Sequence, residues 1–449
     1  VAALVLTLPA LLLLRGRSGA LRRGSHPSTT LESGRPESQP PRLSDIAYGR
    51  SGDKGTSANV GILARTPEAY DRLKSWLTAE RVQRFFDPLG IDSVQRFELP
   101  NLSGFNFVVR GILRRASRND AQGKALAQAL LAMSLDDPLT AAPWVEGKTI
   151  GEVCRETAKK YPTREAIVFC NGNFRLTWSE LDREVDRVAR GLLSLGLGRG
   201  DHFGIWATNV PEWVLLQFAT ARIGVVLVTI NPSYRTKELA YAVGQAELRG
   251  LALIDVYKST DYFASLHEAI PELASQVAGS ITCAQFPKLE WVITLRGQPQ
   301  PGTITWAELL ARSESISPER LQQAEQELNC GDPINIQYTS GTTGFPKGAM
   351  LSHRNILLNA YYAGLNQQLS SQDSICISVP LYHCFGCVLG TLCSVVHGST
   401  MVFPGEGFQA GATLQAIENE RCTSVYGVPT MFITMLEHPD FPQRQLKSL

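Results

Sequence analysis

The stretch from Tyr338 to Ala349 reads YTSGTTGFPKGA. Thr339, Ser340, Thr342 and Thr343 supply four hydroxyl donors that carry no charge of their own. Gly341 and Gly344 let the backbone turn so that successive N–H groups face one anion. Lys347 adds a mobile positive charge suited to phosphate oxygens. An apolar run from Ile334 to Tyr338 reads as a strand entering the turn, and Ser352 stands where it would cap a helix beginning near His353. These residue types in this order make a pocket for a polyphosphate. It is not a Walker loop, which needs Gly-Lys followed by Ser or Thr; here Lys347 follows Pro346 and precedes Gly348. A bare cluster of Gly, Ser and Thr would read as a surface turn. The strand before it and the lysine after it favour the phosphate pocket.

The string resembles the signature of the adenylate-forming superfamily, which includes acyl-CoA synthetases, luciferases and peptide-synthetase adenylation domains. Other segments resemble that superfamily's blocks in the same order: LTWSEL (Leu176 to Leu181), NVPEWVLL (Asn209 to Leu216), GVVLVTINPSYRTKEL (Gly224 to Leu239), PLYHCFG (Pro380 to Gly386) and YGVPTMF (Tyr426 to Phe432). The resemblance is strongest to the mitochondrial acyl-CoA synthetase family member 2 group, which handles medium-chain fatty acids, and covers about residues 144–449. It implies an α/β fold, the large N-terminal domain of an adenylate-forming enzyme. It also implies ATP, Mg²⁺ and coenzyme A as cofactors and a fatty acid as substrate, joined in two steps through an acyl-adenylate. Carried onto this sequence, it places Thr339, Ser340, Gly341, Thr342, Thr343, Gly344 and Lys347 on ATP. Lys347 and His383 take catalytic roles, and His383, Gly427 and Pro429 lie beside the acyl substrate. No metal-ligating residue is assigned. Family members continue with a Tyr-Gly-x-Thr-Glu block, a ribose-binding Asp, a hinge and a small C-terminal domain. None of these occurs before Leu449. The expectation is therefore an incomplete large domain with little ligase activity alone, the parent protein being the enzyme.

The residues themselves say something about the substrate. Between Asp373 and Glu406 there is no acidic residue. An amino-acid substrate would need a carboxylate to pair with its ammonium, because a buried unpaired charge is very costly. The acid-free stretch favours a plain acyl chain. His383 lies inside PLYHCFG, where a functional role competes with that of a satisfied core histidine. Cys384 and Cys387 form a CxxC without the partner pair or redox context that metal or disulfide chemistry needs, so they read as small residues on an apolar helix face. Trp206, Trp213 and Tyr426 read as core or pocket wall.

These groups must be positioned by a larger frame. From Trp144 onward, helical stretches such as Glu180 to Leu195 alternate with apolar runs such as Gly224 to Ile230, Gly250 to Ile254 and Ser399 to Phe403, an α/β texture with buried strands. Before it, residues 42–135 read as a small α+β unit: a loop, a strand at Asn59 to Ala64, a helix from Pro67 to Phe86, strands at Val94 to Glu98 and Phe105 to Gly111, and a helix from Ala121 to Met133. RLSDIAYGRSGDKGTSANVGILAR, RFELPNLSGFNFVVRGIL and NDAQGKALAQALL resemble the C-terminal domain of AtuA-type acyclic terpene utilisation proteins. The RSGDKG segment (Arg50 to Gly55) reads either as a binding loop on a flexible Gly turn or as a turn stitching two strands. Residues 136–143 read as a linker.

Composition bounds the rest. The 449 residues are 44% hydrophobic and 19% charged, with net charge +1, so charge alone gives no general attraction to nucleic acid or anionic membrane. Nine irregularly spaced cysteines argue for a reducing compartment. Residues 1–41 read as a targeting and linker segment. The apolar run Val1 to Leu14 is too short for a membrane span, and Arg15, Arg17, Arg22 and Arg23 follow with no acid before Glu32. A mitochondrial transit peptide, a secretory signal and an artefact of the gene boundary stay open. Three functions remain in play: an acyl-CoA ligase, a non-catalytic scaffold or binding protein built on a nucleotide fold, and an adenylating enzyme with another acceptor.

Overall fold

The computed structural model describes residues 41–54, 56–112, 122–135, 143–279, 281–339 and 346–449. Most of the segments read as targeting and linker (residues 1–41) and as a second linker (136–143), and the loop residues Ser340, Gly341, Thr342, Thr343 and Gly344, lie outside the described residues. The chain divides into two compact units at Trp144 and Val145.

The first unit is a four-stranded antiparallel sheet made of β1 (Ala47–Lys54), β2 (Ser57–Ala64), β3 (Ser93–Leu99) and β4 (Gly104–Arg110), in the order β1-β2-β4-β3. Ala58, Val60, Ile62, Phe105, Phe107 and Val109 point to one face and are buried with Leu73, Val82, Phe86 and Leu130 from the helices. The period of two along each strand creates that one apolar face. Two expectations are corrected. The segment read as a loop before Asn59 contains β1, and Arg50 to Lys54 of RSGDKG are strand residues paired with Ser57 to Gly61. The single helix read from Pro67 to Phe86 is two, Pro67–Trp76 and Ala79–Phe86. Thr78 separates them by capping the second, its hydroxyl accepting the Arg81 N–H at 3.2 Å.

The second unit holds two large sheets and a small antiparallel pair, Val256–Tyr257 with Thr260–Asp261. Its strands are β5 (Glu165–Phe169), β6 (Phe174–Thr177), β7 (His202–Trp206), β8 (Val226–Thr229), β9 (Gly250–Leu253), β10 (Val256–Tyr257), β11 (Thr260–Asp261), β12 (Trp291–Thr294), β13 (Ile304–Thr305), β14 (Pro333–Thr339), β15 (Lys347–Ser352), β16 (Ser374–Ile377), β17 (Thr400–Phe403) and β18 (Ser424–Tyr426). The larger sheet runs β13-β12-β9-β7-β8-β14-β15, parallel except for the β14–β15 pair. The smaller runs β18-β16-β17-β5-β6, parallel except for β5–β6. Parallel strands are covered on both faces and read as continuous apolar runs; VLVT, GLAL and TMVF are buried at every position. The α/β expectation for this part of the chain holds.

Helices begin where the sequence signals them. Thr149 with Glu152, Thr177 with Glu180 and Thr305 with Glu308 form reciprocal capping boxes. The helix Pro211–Arg222 is buried at every residue from Trp213 to Arg222, as an all-round apolar helix must be. Its last residue is a charge. The Arg222 side chain is fully buried and pairs with Asp182 and Asp186 of the helix Trp178–Ser194. Arg155 ties the same cluster together, at 2.9 Å from Asp186 and 2.5 Å from Glu325.

Candidate functional site

The strand that enters the loop read as phosphate-binding is β14, and the residues that leave it are β15. Thr339 and Lys347 are register partners across this hairpin. Lys347 is exposed, and its ammonium has no ion-pair partner among the described residues. The exit is fastened from outside: the Tyr241 hydroxyl donates to the Pro346 carbonyl at 3.0 Å, and the Tyr338 hydroxyl donates to the Ala242 carbonyl at 3.2 Å. Both contacts involve the helix Thr236–Gln245, which follows the NPSYR segment. Ser352 caps the helix His353–Asn366, accepting the Asn355 N–H at 3.2 Å.

His383 follows β16 and starts a helical segment. Its Nδ1 accepts the Phe385 N–H at 3.1 Å, which leaves Nε2 to carry the proton of the neutral ring. The ring is solvent-accessible, yet the protein around it displaces enough water to hold its pKa below the usual imidazole value. Beyond it, Phe385–Leu392 is a π-helix with every residue buried. Such segments are rare and recur at functional sites. It lies within the acid-free stretch seen in the sequence, and apart from Thr391 its buried side chains are apolar.

Three sequence-distant blocks meet here. Gln337 on β14, two residues before Thr339, donates to Cys387 Sγ at 3.0 Å. The ring of Tyr426, at the end of β18, lies 5.5 Å from that of Phe385. Gly427 is buried beside it, and Pro429 is exposed at the first turn of the helix Pro429–Leu436. The β14 strand, the His383 segment and the Tyr426–Pro429 turn therefore share one neighbourhood.

Sequence reasoning missed the residues that hold these blocks together. The side-chain amide of Asn209 donates to Val379 O at 3.0 Å and accepts from Leu381 N at 2.8 Å, clamping the backbone on both sides of Pro380. Gln217 donates to Cys387 O at 2.8 Å, and Thr391 donates to Gln217 Oε1 at 2.7 Å. A sequence signal existed: Asn and Gln in an otherwise apolar block need buried partners. Cys384 and Cys387 are both buried, and burial raises their thiol pKa values. All nine cysteines are free, and these two serve packing. Trp206, Trp213 and Tyr426 are core residues. Among the described residues no group of three or more His, Cys, Asp or Glu could hold a metal ion.

Residues 154–449 match the AMP-binding enzyme family. The chain belongs to that family. Residues 41–136 match the AtuA ferredoxin-like domain. A relative from Danio rerio, medium-chain acyl-CoA ligase ACSF2, mitochondrial, is 41% identical over 307 residues, covering 68% of this chain and 50% of the relative. The protein of the same name from Rattus norvegicus is 41% identical over 301 residues, covering 66% and 48%. The chain thus spans about half the length of the curated relatives it matches. Among solved structures, the anthranilate CoA ligase AuaEII in complex with anthranoyl-AMP aligns with a TM-score of 0.58 at 22% identity. It covers 68% of this chain and 54% of that one, and it shows the shared fold.

Proposed function

We propose that the parent of this AMP-binding chain activates a medium-chain fatty acid. The carboxylate attacks the α-phosphorus of ATP, forming an acyl-adenylate and releasing pyrophosphate; the thiolate of coenzyme A then attacks the acyl carbon and releases AMP. The observation that carries the reading is the convergence of the β14–β15 hairpin, the His383 segment and the Tyr426–Pro429 turn on a buried acid-free wall. The similarity to medium-chain acyl-CoA ligases supports it.

In this reading Thr339 to Gly344 cradle the phosphates, and Lys347 meets the charge that builds when one anion approaches another. That repulsion is several kcal/mol at contact distance in an intermediate dielectric, so fixed positive groups matter most there. His383, neutral at pH 7, presents Nε2–H to the carboxylate or the adenylate oxygen. The buried stretch from Phe385 to Leu392 faces the acyl chain, with Gly427 and Pro429 at its carboxyl end. Mg²⁺ belongs to the family's chemistry and would neutralise phosphate charge, but the described residues offer no donor cluster for it, so no step is assigned through it. We further propose a targeting and linker segment over residues 1–41, an AtuA-like domain over 42–135 and the AMP-binding domain over 144–449. Mitochondrial localisation is supported by the relatives' names and by the Arg-rich, acid-poor leader.

The test is ATP binding by this chain, measured calorimetrically with magnesium present. Lys347→Ala removes a charge-assisted contact and should weaken binding by roughly 10- to 150-fold. Octanoate-dependent pyrophosphate exchange by the parent protein should fall by about 10²–10³ with the same substitution. ATP binding indifferent to Lys347→Ala, or pyrophosphate exchange by the parent protein that survives that substitution, would overturn the proposal.

A further inference from the structure

The sheet of the first unit buries one face and leaves the other open. By register the open face is built in cross-strand rows. Tyr48, Leu63, Gly104 and Leu99 lie in one row, Arg50, Gly61, Asn106 and Phe97 in the next, and Gly52, Asn59, Val108 and Gln95 in the third. Tyr48 and Phe97 are 57% and 43% exposed on that face, large values for aromatic rings on a sheet. Arg50, Gln95 and Arg110 are exposed beside them. The guanidinium of Arg65 already lies over the Tyr48 ring, 3.8 Å from its centroid. The only acids in the four strands, Asp53 and Glu98, hold register positions of the opposite parity.

We propose that this face binds a single-stranded nucleic acid. The chemistry has three parts. Unpaired bases stack on exposed aromatic rings whatever their sequence. Arginines attract the phosphates and also stack on bases. The amides of Asn59, Gln95 and Asn106 carry both donors and acceptors for base edges. Gly61 adds a separate indication. It sits in a central strand without a bulge, where an interior glycine weakens the sheet and is often kept where a ligand or another backbone comes close. A Cβ there would meet nothing nearer than the Arg50 carbonyl oxygen at 3.5 Å. The position has room for a side chain and carries none, which keeps the floor between Arg50 and Phe97 flat.

The whole-chain charge of +1 argues against general attraction to nucleic acid, but it averages over the molecule. The open-face strand positions carry arginine and no carboxylate. That same charge disfavours a second copy of the chain as the occupant, because two such faces would oppose arginine with arginine.

The test is fluorescence anisotropy of a labelled mixed-sequence RNA 12-mer with the full chain. Phe97→Ala combined with Tyr48→Ala should weaken binding by about tenfold or more, since each stacked base contributes substantially. Gly61→Val suits a β-strand and has space to fit, so it should keep the fold while blocking the floor and weakening binding to a similar degree. Arg50→Gln should lower the slope of log affinity against log salt by about 0.7. The same sequence as a duplex should bind more weakly, its bases being unavailable for stacking. Binding unchanged by Phe97→Ala with Tyr48→Ala and by Gly61→Val would place the contact elsewhere, for instance on the arginines of residues 15–23, and overturn the proposal. So would equal affinity for the duplex, or a chain dimer that Gly61→Val disperses. ATP binding by the second unit is read separately, so failure here leaves the acyl-activation reading untouched.

Discussion

His353 offers a quantitative test of the second unit's packing. It is the first residue of the helix that follows β15, and its side chain is fully buried. Nδ1 accepts the Ile150 N–H at 3.1 Å, and Nε2 has no partner among the described residues. Burial lowers its pKa from 6.5 to about 4, and the negative charge of Asp332 only partly opposes this. Above pH 6.5 the ring is neutral in both folded and unfolded chains and contributes no pH dependence. As pH falls below 6.5 the unfolded chain takes up a proton that the folded chain refuses, so stability is lost between pH 6.5 and about 4. A gap of about 2.5 pKa units at 1.36 kcal/mol each gives about 3 kcal/mol across that window. His353→Asn keeps an acceptor near the Ile150 N–H and removes the titration. The assay is urea unfolding of the full chain followed by tryptophan fluorescence, which is weighted toward the buried Trp178, Trp206 and Trp213. The variant will be less stable at pH 7 because the site is smaller and repacked. The decisive quantity is the difference between the two curves, which should close by about 2–3 kcal/mol on going from pH 7 to pH 4.5. Parallel curves would show that His353 is not the buried base described.

Two further outcomes follow from the same packing. Asn209→Ala removes both ends of the clamp around Pro380 and leaves buried backbone groups unpaired, so it should cost about 2–5 kcal/mol; differential scanning calorimetry checks this, and hydrogen exchange should rise at Leu381. Arg222→Leu takes the fully buried partner away from Asp182 and Asp186, leaving only Arg155 beside them, and should destabilise by about 3–5 kcal/mol at neutral pH, measured by the same unfolding assay.

Much of the second unit was legible because its signals are local. Ser352 announced the helix after the loop, and the buried apolar runs became β8, β9 and β17. The strand read before the loop became β14, but the strand Lys347–Ser352 after it was not foreseen. What escaped had no local mark. In β1, Tyr48, Gly49, Arg50, Ser51 and Gly52 alternate faces correctly, but glycines and a charge hide the apolar period. The Leu77–Thr78 break interrupts an otherwise continuous helical pattern, so only the cap reveals it. The π-helix from Phe385 to Leu392 has no sequence period of its own when every side is buried. Asn209 and Gln217 find partners about 170 residues away, which no window along the chain can see.

The hairpin between β14 and β15 has a consequence for how such a loop can change. Thr339 and Lys347 are locked as neighbours by the ladder, so the lysine's place is set by strand pairing and owes nothing to the seven residues that separate them. Substitutions or insertions within that span would change what lies beside the lysine while strand pairing keeps its place on β15. One scaffold could thereby exchange one anionic guest for another without relocating its fixed charge.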